Sequence, residues 1–342
     1  MHSTILRALL PALMALPFAA VADQGAPAQV PAEMATLDTV VVSGEQPGPG
    51  LWKVSKDGHV LWILGTLTPL PKKMVWVSSE IEATIAQSQE VLLAPTASFD
   101  IKGGAVRGLF LLPSLLGARN NPDKAKLVDV VPADLYARWA TLKEKYIGRD
   151  NGIEKRRPIF AAHELYAKAI ERSGLSSDDV VTAVVKKTAK KNDIALTEPK
   201  LALRIEEPKA AIREFAQSPL DDIDCFSKTL TRLEFDIEAM KARGNAWATG
   251  DIEAMQALPY TDQNQACSDA ILHASVTQER GLGDIRTRMT KLWLDAAEAA
   301  LKKNTTSFAV LQIRHIFDSE GIVATLKAQG YTVQAPWEQE PE

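Results

Sequence analysis

The chain has 342 residues, 46% of them hydrophobic and 24% charged, with a formal net charge of -4. These values fit a globular protein and exclude a fibre or a chain too polar to fold. The mild negative charge, with no Lys/Arg stripe carrying interleaved aromatics, argues against nucleic acid or an anionic membrane surface as a partner.

The N-terminal stretch MHSTILRALLPALMALPFAAVA carries one basic residue, Arg7, then an apolar run from Ala8 to Ala20 and the small-x-small triplet Ala20-Val21-Ala22. It reads as a secretory signal peptide over residues 1–22, cut after Ala22. Pro11 and Pro17 interrupt the run, which is short for a membrane span, so no stable transmembrane span is expected after cleavage. The expected location is the periplasm or the medium. Residues 23–50, rich in Ala, Pro, Gly and Gln, read as a flexible leader. Within it LDTVVVSG, Leu37 to Gly44, is β-prone and resembles the TonB-box segments of outer-membrane receptors. No barrel pattern follows, and an edge strand or exposed extended segment is the simpler reading.

The folded region opens with LWKVSKDGHVLWILGTL. Asp57-Gly58 between two β-prone runs is a type I′ hairpin signal. The second arm, His59 to Leu64, is apolar on both faces beyond its first residue, as in a central strand. Ser79 with Glu82 predicts a capping box opening a helix. EVLLAP, Glu90 to Pro95, is a further buried strand. Residues 102–281 are mainly helical by spacing: helices are expected over 134–146, 159–172, 177–191, 209–217, 225–243 and 251–258, with Gly244 as a breaker. IALTEP at Ile194 to Pro199 is a short strand. A long helix over 282–303, a strand at Phe308 to His315, a helix ended by Gly330 and a strand in YTVQAP close the chain. The prediction is an α+β fold: a central mixed sheet formed by N- and C-terminal strand-helix units, with a large helical insertion at 102–281 in a domain spanning 51–336, and a tail at 337–342.

Cys225 and Cys267 are the only cysteines. Export would expose them to an oxidising compartment, where one structural disulfide is worth on the order of 4 kcal/mol through loop closure. Two buried thiols or a reactive thiol are the alternatives; neither cysteine sits in a nucleophile motif. No H-E-x-x-H, zinc-spaced cysteine pair, phosphate-binding glycine loop or G-x-S-x-G occurs. His59 is expected to face solvent at the hairpin, and His163 and His273 to lie on helices in surface or capping roles. His315 differs, because it is expected at the end of a buried strand beside Arg314, where side chains reach a shared cleft. Glu90 and Glu198 lie near strand ends and are possible acids or bases.

Read together, the two ends resemble the TraB/GumN family, related to the Tiki proteins. LWKVSKDGHVLWILGTLTPLP is similar to that family's opening hairpin strand, which ends in a G-T-x-H turn. SFAVLQIRHIFDSEGIVATLKAQGYTV is similar to its final strand-helix-strand, normally opened by G-x-x-H. VPADLYARWATLKEKY, the GLSSDDVVTAV to ALTEP region and AWATGDIEAM have family-like spacing. The resemblance implies two related β/α halves around a central sheet and a metal-dependent hydrolase centre, peptidase-like in the Tiki branch. It places that centre at Thr68 and His315 for the two histidines, at Ala94 for a glutamate, and at Arg286 or Arg288 for an arginine. Gln312 replaces the glycine of the second motif.

Threonine is a poor divalent-metal ligand and alanine offers none, which leaves one imidazole. No metal or other cofactor is expected unless Glu90, Glu198 or another carboxylate completes the set, in which case zinc or manganese is the alternative. The expected function is binding of an envelope peptide, glycan or protein at a remnant cleft beside Thr68 and His315. The alternatives are a metal-dependent hydrolase or peptidase with rearranged ligands, and an accessory factor in polysaccharide or envelope transport docking through LDTVVVSG.

Overall fold

A computed structural model describes residues 48–74, 76–101, 104–258 and 262–339. The expected signal peptide and the Leu37 to Gly44 run lie outside the described residues. The hairpin forms as its turn chemistry requires. β1 (Leu51–Lys56) and β2 (His59–Thr66) pair antiparallel with Lys56 opposite His59, and Asp57 and Gly58 take φ of 52° and 82°, as a type I′ turn demands. Leu61, Ile63 and Leu64 of β2 are completely buried. The short β3 (Leu70–Pro71) leads to α1 (Ser79–Ala86), which buries Ile81 and Ile85 for roughly 2 kcal/mol each. Its N-cap is Ser78 rather than Ser79: the Ser78 hydroxyl donates to Glu82 Oε1 at 2.6 Å. β4 (Glu90–Leu92) and β5 (Thr96–Ile101) follow.

The helical insertion comprises α2 (Gly104–Gly117), α3 (Leu127–Val130), α4 (Ala133–Tyr146), α5 (Pro158–Arg172), β6 (Leu175–Ser176), α6 (Val180–Lys191), β7 (Ala195–Thr197), β8 (Lys200–Ile205), α7 (Pro208–Gln217), α8 (Ile223–Phe235), α9 (Ile237–Ala248), α10 (Ile252–Ala257), α11 (Gln263–Leu272) and α12 (Ser275–Glu279). Its own core is built on Trp139, Leu165, Phe226 and Leu230, all fully buried. The helix expected over 225–243 is two helices. Asp236 interrupts it, because this buried carboxylate is held by Arg232 from the last turn of α8 and by Arg243 from α9, at 3.4 and 2.8 Å. Gly244 lies inside α9 instead of ending it, and a Cβ there would meet Pro71 Cδ at 2.8 Å. The glycine lets β3 approach the helix, a role that outweighs its poor helix propensity.

The chain closes with α13 (Ile285–Lys303), β9 (Thr306–Gln312), α14 (Arg314–Phe317), α15 (Ile322–Ala328) and β10 (Thr332–Gln334). The expected strand to His315 therefore stops at Gln312, and His315 belongs to a short helical turn. The central sheet has six strands in the order β10-β1-β2-β9-β4-β7. β10, β1 and β2 pair antiparallel, whereas β2, β9, β4 and β7 run parallel. This is the mixed sheet of an α+β fold, with β2 from the N-terminal part and β9 from the C-terminal part of the described chain paired at its centre. Phe308, Ala309, Val310 and Leu311 of β9 are buried among Val91, Leu92, Trp293 and Leu326. Both faces of a parallel sheet covered by helices demand such continuous apolar runs. The ribbon of β5 with β8, parallel from Thr96 opposite Lys200 to Ile101 opposite Ile205, was not legible in the sequence.

Cys225 of α8 and Cys267 of α11 form a disulfide across 42 positions. Among the described residues no helix is long and apolar enough to cross a membrane.

Candidate functional site

β2 and β9 lie side by side and parallel, with Gly65 opposite Leu311 and Thr66 opposite Gln312. Both chains leave the sheet at the same edge, the place where a crevice opens outside the carboxyl ends of parallel strands. Pairing continues one step past the strands, since the Ile313 N–H donates to the Thr66 carbonyl at 2.8 Å. Gly65 is still inside β2, so it does not make the turn. A Cβ there would collide with the Ile313 side chain and press on Ile316. The buried Trp247 of α9 donates its indole N–H to the Gly65 carbonyl at 2.8 Å.

The crevice is a cavity of about 630 Å³. One wall carries Thr68 and Pro69 from the loop after β2, and the facing segment carries Gln312 to His315 with Phe317 and Asp318. Arg286 from α13, Arg232 from the last turn of α8, Arg243 from α9 and Asp262 at the start of α11 also line it. Thr68, Arg286 and His315, separated widely in sequence, thus line one cleft. Arg288 does not line it; its guanidinium lies 3.5 Å from Asp284 one turn away. Ala94 follows β4 and is not among the lining residues either.

The sequence-selected carboxylates are committed elsewhere. Glu90 sits at the start of β4, the opposite edge of the sheet from the cleft. It accepts hydrogen bonds from the Thr197 hydroxyl and, at 2.9 Å, from Asn304 Nδ2. Glu198 is held by Lys186 at 2.8 Å and Lys200 at 2.7 Å, and hydrogen bonds from these two ammonium groups depress its pKa to about 2. His59, expected to face solvent, is half-buried, and its Nδ1 lies 2.6 Å from the Asn304 carbonyl. His163 is exposed on α5 and His273 ends α11.

The cleft's own charged residues were mostly missed, because helices from the insertion deliver them. Asp262 caps α11 by accepting the Gln265 N–H at 2.8 Å, and Asp318 accepts the Glu320 N–H at 3.0 Å. Arg286 pairs with Asp269 at 2.9 Å. His315 is held below the ordinary histidine range, first by burial and then by repulsion from Arg314, with Asp318 opposing and Arg286 adding to the repulsion. Its imidazole is therefore neutral at pH 7. It retains a lone pair for a proton or a metal, but the guanidinium groups around it disfavour a second cation.

A family model described as TraB/PrgY/gumN matches residues 50–335. The chain belongs to this family. No curated protein and no solved structure matches it. The cation centre that the family resemblance implies fits the residues of this member poorly. Among the described residues no three His, Cys, Asp or Glu side chains group as a metal site. The cavity also holds the guanidinium groups of Arg232, Arg243, Arg286 and Arg314, and its two carboxylates, Asp262 and Asp318, do not form a three-residue donor group with His315.

Proposed function

We propose that this TraB/PrgY/gumN member is an exported protein that binds an envelope partner in the cleft beside Thr68 and His315 and has lost the hydrolytic centre. The observation that carries this reading is the donor set. Threonine stands at one histidine position, alanine without any donor at the glutamate position, and arginines crowd the remaining imidazole. Water bound to such a set is not polarised by a cation, so the usual route to a hydroxide nucleophile at neutral pH is missing. The apolar lining from Leu67, Pro69, Met255 and Phe317, beside a few polar groups, suits retention of a ligand. The disulfide between Cys225 and Cys267 supports an oxidising compartment. Elemental analysis of the purified protein tests the reading: the expected result is no stoichiometric zinc or manganese, and tightly bound metal at one equivalent would overturn it.

The second reading is a hydrolase with rearranged ligands. It is favoured by Asp262 and Asp318, which line the same cavity as His315. Each carboxylate accepts one backbone N–H and keeps its second oxygen for a ligand, but the three side chains would have to draw together, since they do not group as a metal site. The reading predicts turnover of peptide or ester substrates that a chelator inhibits and His315→Ala abolishes.

A further inference from the structure

The charges in the cleft are not equally committed. Arg286 has Asp269 behind it, and Arg232 and Arg243 have Asp236. The two cleft carboxylates, Asp262 at the start of α11 and Asp318 in the loop after α14, each accept one backbone N–H at a single oxygen and keep their charge, so the cleft carries both signs. Arg314 is exposed at the cavity rim; its carbonyl accepts the Asp318 N–H at 2.9 Å, but among the described residues its guanidinium has no hydrogen-bond or ion-pair partner. It stands at the first position of α14, next to His315, on the segment that faces Thr68. Arg286, whose side chain is 48% exposed, lies near enough to His315 to repel a proton there, as does Arg314. Two accessible guanidinium groups thus line the same cavity as the imidazole, and each presents a planar fork of N–H donors matched to a carboxylate.

Apolar side chains line the cleft beside its charged ones, two of which, Arg232 and Arg243, are themselves buried. Leu67 and Pro69 from the β2 side, Met255 and Leu258 from α10 and its exit, and Phe317 of α14 face the same space. A single aromatic ring among aliphatic and thioether side chains is a surface for a flexible hydrocarbon group rather than a stacking platform for sugars. A cavity of about 630 Å³ holds a ligand of drug-like size.

We infer that the cleft, in place of a cation, takes an organic carboxylate with an apolar body, the carboxylate resting on Arg314 and Arg286 and the body on Leu67, Met255 and Phe317. The inference depends on the binding function proposed above and names its ligand class. Two sources carry this chemistry: a fatty acid, and the C-terminal residue of an apolar peptide. Arg314 supplies the recognition; Arg286, already paired with Asp269, adds a second donor without leaving its partner.

Calorimetric titration of the full mature chain tests this with three probes: decanoate, N-acetyl-trileucine as the free acid, and the same peptide as its C-terminal amide. At least one acid is expected to bind. The amide is expected to bind at least tenfold more weakly than the acid peptide if the peptide is the ligand, and decanoate alone to bind if the source is an acyl chain. Arg314→Ala should weaken the bound acid about tenfold or more, the loss of one charged hydrogen bond, while Arg314→Lys recovers part of it. Since Arg314 is exposed, neither variant threatens folding. Binding of neither acid, or equal binding of acid and amide insensitive to Arg314→Ala, overturns the carboxylate inference. Chelator-sensitive cleavage of the peptide, monitored in the same samples, overturns instead the non-hydrolytic function on which it rests.

Discussion

The indole N–H of Trp247 donates 2.8 Å to the carbonyl of Gly65, so a helix of the insertion grips the central strand just before that strand opens into the cleft. Trp247 is fully buried, and its ring meets Trp76 edge-on at 5.5 Å between centroids. Replacing it with phenylalanine keeps an aromatic body but removes the only N–H of the side chain. The expected cost is about 2–4 kcal/mol, combining an unsatisfied buried carbonyl with a packing defect. Urea denaturation measures it, and a cost under half a kcal/mol would show that the tie is dispensable.

Gly65 sits where two strands and their exits crowd together. Gly65→Ala places a methyl against Ile313 and Ile316, and forcing such a group into packed surroundings costs about 1–3 kcal/mol. Ile313 lines the cleft, so the same substitution should weaken ligand binding beyond the stability loss. A matched titration of wild type and variant at a temperature where both are folded separates the two effects.

The disulfide fastens α8 to α11, and Cys225 is completely buried against Ile159, Ala266 and Ala270. The helices it joins carry Arg232 and Asp262 to the cleft. Removing the crosslink by Cys225→Ala with Cys267→Ala should cost about 4 kcal/mol, the loop-closure value for its length, and lower the thermal midpoint. An unchanged midpoint under reducing and oxidising conditions would show that the bridge does not form in solution.

His315 should titrate below 6.5, the ordinary histidine value, because burial and then Arg314 disfavour its charged form. Removing one positive neighbour must raise it, so Arg314→Ala should move the His315 resonance midpoint upward in an NMR titration. The sign for stability follows. With the folded value depressed, the unfolded chain takes the proton first, and stability falls as pH drops below about 6.5. His315→Gln should flatten that part of the stability profile.

Asp222 accepts the Ile159 N–H at 2.9 Å and so caps the first turn of α5 from a distant segment. Asp222→Ala should cost about 1–2 kcal/mol, as loss of a capping acceptor does. Burial raises the carboxyl above its usual 3.8, so the folded state holds the proton longer and this group's contribution falls as pH rises from about 4. Asp222→Asn, which keeps an acceptor, should lose much less stability than alanine and remove that slope. Chemical denaturation of both variants at pH 4 and pH 7 checks it.

How much of this was legible before folding depends on how local each signal is. The Asp57-Gly58 turn, the apolar runs of β2, β4 and β9, and most helices announce themselves because turn chemistry and periodicity act over a few residues. The break at Asp236 did not, since the periodicity of residues 225–243 continues through it and only a buried carboxylate shared by Arg232 and Arg243 interrupts the helix. Gly244 misled for the same reason: its value lies in the approach of Pro71, a contact with no trace in the neighbouring sequence.

The same division holds at the cleft. The sequence by itself determined which side chains stand at the positions the resemblance singles out, a hydroxyl at Thr68 and a methyl at Ala94, because side-chain identity alone decides what a residue can donate or coordinate. Only the tertiary structure decided which side chains share the cleft. The parallel pairing of β2 with β9 brings Thr68 to His315. The helices of the insertion then add Arg232, Arg243 and Asp262, while Glu90 and Glu198 are held in other contacts. Charge in a cavity is a sum over elements far apart in the chain, and that sum exists only once they are packed together.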